Sequence, residues 1–235
     1  MKSVQKGFTL LEVMIGITLL ALVMTTVLFG LRIASRAYQQ GEDRLKRTYM
    51  DAERADFMNK QIASLEPYKV RSDDPKLQGE FAILEAKASC FRFLSTYGSH
   101  YRNRSGLILV EYGLVETPGR RVDLLLRETP VHDDGEILHK VIQEVAPDPD
   151  TGKLVTTYRP FFKQDSDFGL HTDLEAARFE YLVPDSEKEA ARWVSDWLPA
   201  PEVPYPWAVR FLWKQDGKWV QVTFPIRAHA FLKSS

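Results

Sequence analysis

With a single cysteine, Cys90, in 235 residues, the chain has no intramolecular disulfide to staple its fold. Cys90 sits in Ala88-Ser89-Cys90-Phe91-Arg92-Phe93-Leu94, a strand-like alternation in which a small buried thiol is expected rather than a nucleophile. Charge of one sign is missing too: 31 Lys plus Arg face 32 Asp plus Glu, so no overall basic field argues for nucleic acid. The five histidines (His100, His132, His139, His171, His229) are scattered, with no His-Glu-x-x-His pair and no metal-ligand spacing. There is no Gly-x-Gly-x-x-Gly, no phosphate-binding loop and no Gly-x-Ser-x-Gly. Asp148-Pro149-Asp150-Thr151-Gly152 has acidic residues in a turn but lacks the ligand spacing and closing Glu of a calcium loop. His132-Asp133-Asp134-Gly135 reads as a solvated turn, and Tyr97, His100, Tyr101, Arg102 and Arg104 read as a polar loop between strands. The expectation is a protein without catalytic residues, cofactor or metal.

What the chain does have is one long apolar run, interrupted once. From Phe8 to Leu31 there are 24 residues: 17 apolar, four threonines, two glycines and a single ionisable side chain, Glu12. At 1.5 Å per residue such a helix reaches about 36 Å, enough to cross a hydrocarbon core of roughly 30 Å with some tilt. A carboxylate inside such a helix costs roughly 2.5–3.5 kcal/mol at mid-membrane and less toward the interface. A chain that keeps one there needs a cation for it, and the first four helical turns contain none. A secretory signal peptide is excluded by the length of the run and by its ending, Leu31-Arg32-Ile33-Ala34-Ser35. A generic signal anchor would also carry Lys2 and Lys6 ahead of an apolar helix, but it has no use for Gly-Phe-Thr-Leu-Leu-Glu.

The segment Lys6-Gly7-Phe8-Thr9-Leu10-Leu11-Glu12 resembles the N-terminus of type IV pilins and pseudopilins. That resemblance implies cleavage after Gly7 by a membrane prepilin peptidase and N-methylation of the new terminus, Phe8, by the same enzyme. It further implies that Glu12 registers the subunit, pairing with the N-terminal amine of a neighbour during assembly. Positive charge flanks both ends of the span. Lys2 and Lys6 lie before it; Arg32, Arg36, Arg44, Lys46 and Arg47 lie after it. The positive-inside rule taken alone would hold the large domain in the cytoplasm. The resemblance implies the opposite, with the leader inside and the C-terminal body in the periplasm.

The helical period continues past the membrane edge. Ala34, Tyr38, Gly41, Leu45, Tyr49, Ala52, Ala55, Met58, Ile62 and Leu65 recur at spacings of three and four, and Pro67 offers a stop. The C-terminal half of this stripe is expected to pack on the chain's own domain, and Ala34 to Leu45 to meet helices of neighbouring subunits. From about residue 79 the period becomes 2. Strands are predicted at Glu80–Glu85, Ser89–Thr96, Leu107–Val115, Arg121–Arg127, Ile137–Val145, Leu154–Tyr158, Ala176–Val183, Ala208–Lys214 and Trp219–Phe224. Asp216-Gly217 between the last two predicts a tight hairpin. The fold class is therefore α+β: one long N-terminal helix, transmembrane then amphipathic, packed on a mainly antiparallel sheet domain. The expected divisions are a leader at 1–7, a membrane half at 8–31, an amphipathic continuation at 32–66 and a periplasmic β-rich body at 67–235.

The body carries a second resemblance. Leu174-Glu175-Ala176-Ala177-Arg178-Phe179-Glu180-Tyr181-Leu182, then Arg192-Trp193-Val194-Ser195-Asp196-Trp197, then Pro206-Trp207-Ala208-Val209-Arg210-Phe211 is similar to the C-terminal part of the J-type minor pseudopilin of type II secretion. The link from Pro199 to Pro206 is longer than that pattern has. Trp193 and Trp197, four apart, are read as a pair packing on a sheet. The resemblance implies a tip complex with the I- and K-type minor pseudopilins and the major pseudopilin, anchored in the bacterial inner membrane, that primes assembly for protein export. A minor pilin of a type IV pilus, serving adhesion or DNA uptake, is the alternative.

Overall fold

A computed structural model describes residues 9–67, 69–72, 79–99, 106–132, 140–147, 154–184, 190–198 and 205–227. The chain divides into two compact units, Met1–Glu53 and Arg54–Ser235. Among the described residues, one helix, α1 (Leu10–Ala63), runs through the first unit and begins the second. It is the one described helix long and apolar enough to cross a membrane.

Among the described residues of the second unit thirteen strands follow, all paired antiparallel. Four lead the body: β1 (Lys69–Ser72), β2 (Gly79–Ala82), β3 (Leu84–Lys87) and β4 (Cys90–Ser95). Then come β5 (Ile108–Thr117), β6 (Arg121–Pro130), β7 (Ile142–Pro147), β8 (Leu154–Tyr158) and β9 (Phe168–Leu174). The last four are β10 (Ala176–Pro184), β11 (Ala191–Val194), β12 (Ala208–Gln215) and β13 (Lys218–Pro225). They form a five-stranded sheet β3-β4-β5-β6-β9, a four-stranded sheet β11-β10-β12-β13, and two hairpins, β1-β2 and β7-β8. This is the α+β architecture expected.

Alternation along the strands builds the core. Phe91, Phe93, Val110, Tyr112, Leu124 and Leu126 lie on one face of the five-stranded sheet, packed with Met58 and Ile62 of α1 and with Phe179, Tyr181, Val209 and Phe211 of the four-stranded sheet. Burying Met58 and Ile62 contributes roughly 1.5–3 kcal/mol each. The C-terminal part of the helical stripe thus packs on its own domain, whereas Tyr38, Leu45 and Tyr49 remain 71–74% exposed.

The helix ends at Ala63 rather than running to Pro67, because β4 intercepts it. Ser95 Oγ donates to the Gln61 carbonyl at 2.9 Å, and the Glu66 N–H bonds to the Leu94 carbonyl at 2.9 Å. Sheet groups thus take over the helix terminus from intrahelical bonds. Gln61, fully buried, donates from Nε2 to Glu128 Oε1 at 2.7 Å and accepts from the Tyr112 hydroxyl.

The other face of the five-stranded sheet is covered by β7-β8 and residues 159–167, with Leu94, Leu109, Val141, Ile142 and Tyr158 in a second cluster. Arg92 lies beneath this cover, 2% exposed, bonded through Nε to Glu111 at 2.6 Å and through Nη1 to Glu85. Arg127 Nε reaches Asp167 at 2.8 Å, its Nη2 donates to the Phe162 carbonyl at 2.6 Å, and its guanidinium lies 4.5 Å from the Phe161 ring centre. Phe161 rests on Gly113, where a Cβ would stand 2.1 Å from the ring. Gly113→Ala is expected to lower stability by about 1–3 kcal/mol, because Arg127 holds the ring it would displace. Chemical denaturation would read this as a lower midpoint at unchanged slope.

Several sequence expectations shift. Glu80–Glu85 is two strands, β2 and β3, broken at Ile83. β1, β9 and β11 were not foreseen. β9 is irregular, with register shifts against β6 and Asp173 at φ 60°, and its Gly-Leu-His-Thr-Asp core carries no clear period. β7 starts at Ile142, and the earlier part of its predicted span, 137–139, lies outside the described residues. Trp193 and Trp197 serve different sheets: Trp193 is in β11, and the Trp197 N–H bonds to the Ala86 carbonyl of β3 at 2.8 Å. The β12-β13 hairpin forms as expected. Asp216 and Gly217 take φ of 51° and 74° between the closing pair Gln215 and Lys218, the two-positive-φ turn that matches strand twist.

Candidate functional site

The helix start is built by its own residues. Thr9 precedes the first helical residue, and its Oγ1 accepts the Glu12 N–H at 3.3 Å, as an N-cap does. Thr9-Leu10-Leu11-Glu12 is the Ser/Thr-x-x-Glu spacing that places an acid at the third helical position, near the positive end of the helix dipole. That signal was open to sequence reading and was missed.

Along the span the threonines are satisfied locally. Thr18 Oγ1 donates to the Ile15 carbonyl at 2.9 Å, Thr25 to Ala21 at 2.7 Å and Thr26 to Val23 at 2.7 Å. Those hydroxyls bring no unmet polar group into lipid. Glu12 differs. It is exposed in the first turn, and among the described residues its carboxylate meets no cation. The next basic residue on α1 is Arg32, twenty residues on, about 30 Å along the axis. The apolar side chains around it, such as Leu11 at 67% and Ile15 at 51%, are open within this single chain. Among the described residues the arrangement is a greasy rod with one unmatched negative charge at its head. Gly7 and Phe8, the expected cleavage and methylation positions, lie outside the described residues.

The residues that carry the second resemblance are brought together in the four-stranded sheet. β10 pairs with both β11 and β12, with Leu182 opposite Trp193 and Glu180 opposite Arg210. Arg210 stacks on the Trp193 ring at 4.2 Å, and Arg178 on the Trp219 ring at 4.9 Å. Both guanidinium groups reach Glu180: Arg178 Nε at 2.7 Å and Arg210 Nε at 2.6 Å. Burial pushes the Glu180 carboxyl up, but the hydrogen bonds from Arg178 and Arg210 outweigh it, leaving the group below its ordinary value.

A depressed folded value means that Glu180 stabilises the fold fully above its unfolded value of about 4.5. That contribution disappears as pH falls through the lower folded value. Glu180→Gln is therefore expected to reduce Tm at neutral pH and to flatten its acid limb. Thermal melts at descending pH would show the two proteins converging.

The remaining sequence candidates carry no site among the described residues. Burial pushes the Cys90 thiol up to about 12, so it is a poor nucleophile. Among the described residues no group of three or more His, Cys, Asp or Glu is positioned to hold a metal. His171 is buried, with ring centres 5.8 Å from Phe211 and 5.1 Å from Trp213, and Tyr97 packs 6.0 Å from Phe57. His100, Tyr101, Arg102, Arg104, His139, His229 and the Asp148–Gly152 turn lie outside the described residues.

With this geometry in view, the family model described as the prokaryotic N-terminal methylation motif matches residues 2–28. The chain carries the methylation motif of prokaryotic prepilin-like proteins at the head of a long N-terminal helix, and the antiparallel β-sheets that follow are consistent with an α+β pilin-like fold. The motif supports a type IV pilin or pseudopilin role and, with the apolar helix, a single-pass membrane anchor. No curated protein matches the chain.

Proposed function

We propose that this protein is a minor pseudopilin of a type II secretion system. Prepilin peptidase cuts it after Gly7 and methylates Phe8, and it enters a short helical filament through Phe8–Leu31. It sits in the inner membrane with its β-rich domain in the periplasm. The I- and K-type minor pseudopilins are its partners in a tip complex that primes the major pseudopilin. It catalyses no reaction; its work is assembly.

One observation carries the reading: the motif match over residues 2–28 coincides with a carboxylate, Glu12, that has no cation among the described residues. In low dielectric an unmatched carboxylate is strongly disfavoured. The freed amine of a neighbouring subunit is the group that resolves it, and the pair then measures the axial step between subunits. The exposed Tyr38, Leu45 and Tyr49 of α1 would meet neighbouring helices in the same filament. The pseudopilin choice rests on the second resemblance, and the juxtaposition of Arg210 with Trp193 and Glu180 supports it. Tagged protein from native membranes is expected to bring down the I- and K-type minor pseudopilins. Recovery with pilus subunits and a retraction ATPase instead would favour the pilus reading.

A further inference from the structure

Basic residues follow the membrane span, and filament entry makes no use of them. From Leu31 to Gly41 the chain holds two arginines, Arg32 and Arg36, and no acidic residue. α1 runs through this stretch unbroken, and both side chains are exposed. Among the described residues neither guanidinium has a hydrogen bond or an ion pair. The nearest acid ahead, Glu42, is six residues beyond Arg36, about 9 Å along the axis. Four residues apart, the two arginines share one helix face with an axial separation of about 6 Å. That matches a headgroup layer of roughly 5–7 Å on each side of the hydrocarbon core. At about 100° per residue this face lies opposite Ala34, Tyr38, Gly41 and Leu45. A helix that meets its neighbours through that stripe therefore turns both arginines toward lipid. Leu28 and Phe29, three and four residues before Arg32, are exposed and carry the same face down into the apolar run.

We propose that Arg32 and Arg36 form a binding site for an anionic phospholipid, with its phosphate between the two guanidinium groups and its acyl chains along Leu28 and Phe29. A guanidinium offers paired N–H donors to phosphate oxygens and is more weakly hydrated than an ammonium, so it loses less at the membrane boundary. The long stems let both heads reach the phosphate level while lying against apolar surface. The site gives a use to cations that the positive-inside rule alone counts against a periplasmic body. Arg44, Lys46 and Arg47 are not part of it. They begin about 20 Å past Leu31, more than a Debye length of about 10 Å outside the headgroup layer, and they stand beside Glu42 and Asp43. The site rests on the single-pass anchor and holds whichever side of the membrane the body occupies.

The test is electron spin resonance of the full chain in phosphatidylcholine vesicles carrying trace spin-labelled phosphatidylglycerol or spin-labelled phosphatidylcholine. The immobilised fraction of each label gives their relative affinity for the protein. Phosphatidylglycerol is expected to be preferred several-fold, and the double change Arg32→Gln, Arg36→Gln to lower that preference at least about twofold. Lys2 and Lys6, ahead of the span, account for what remains. Arg44→Gln, Lys46→Gln and Arg47→Gln together should leave the preference nearly unchanged. The proposal is overturned if the double variant keeps the wild-type preference, or if the triple variant loses as much. It is equally overturned if the wild-type chain immobilises both labels to the same extent. No immobilised component with either label would mean that no helix spans the bilayer, and the anchor would then fall together with the site.

Discussion

Glu12→Gln is expected to leave cleavage and N-methylation intact and to remove the chain from assembled filaments, with at least a tenfold loss on the order set by one buried ion pair. Glutamine is the informative choice. At the third helical position Gln serves a Thr cap as well as Glu does, so the helix start built on Thr9 survives the change. Losing the charge also makes the span easier to hold in lipid, so the single chain should be no less stable in the membrane. What disappears is the attraction to an amine on a neighbour. If Glu12 served only the local helix start, Gln would be silent. Quantifying the variant in sheared filament fractions against total membrane protein separates the two. Wild-type incorporation would remove Glu12 from the assembly mechanism.

Arg92→Met should be the most damaging single change in the body, costing about 3–5 kcal/mol. Methionine fills a similar volume, so the loss is chiefly electrostatic. Glu85 and Glu111, at 5% and 4% exposure, would face each other without the guanidinium between them. Arg127 reaches Glu111 at 3.6 Å but is already held by Asp167 at 2.8 Å, and the half-exposed Lys87 reaches Glu85 at 2.9 Å, so the two offset only part of the loss. For a domain of this size such a loss lowers Tm by roughly 10 °C. The triple change Arg92→Met, Glu85→Gln, Glu111→Gln should recover much of it, because the uncompensated charges go with the cation. Thermal unfolding of both proteins tests this. Equal destabilisation by the single and triple changes would mean that shape, not charge, is what Arg92 supplies.

The parts legible in the sequence were those set by local chemistry. The apolar run, the three- and four-residue stripe ending in Met58, Ile62 and Leu65, and the Asp216-Gly217 turn each depend on near neighbours. What was hidden depends on contacts distant in the chain. The helix stops at Ala63 because Ser95 and Leu94 bind its end, and no residue near 63 announces that. Glu85, Arg92, Glu111 and Arg127 occupy alternate strand positions that read as a solvated face. Glu85, Arg92 and Glu111 are buried and Arg127 is partly covered because β7-β8 and residues 159–167 fold over them, and the charges stay in pairs. β9 was missed because its pairing with β6 tolerates bulges and a positive φ at Asp173. At the candidate site the acid was found from its lipid surroundings, while its cap, Thr9, was overlooked beside it.

Intact-mass and terminal-peptide mass spectrometry of protein from native envelopes bears most directly on the whole account. The expected product begins at Phe8 and carries one added methyl group on its amine. A fully functional chain that still begins at Met1 would leave Glu12 without its counter-ion and contradict the mechanism.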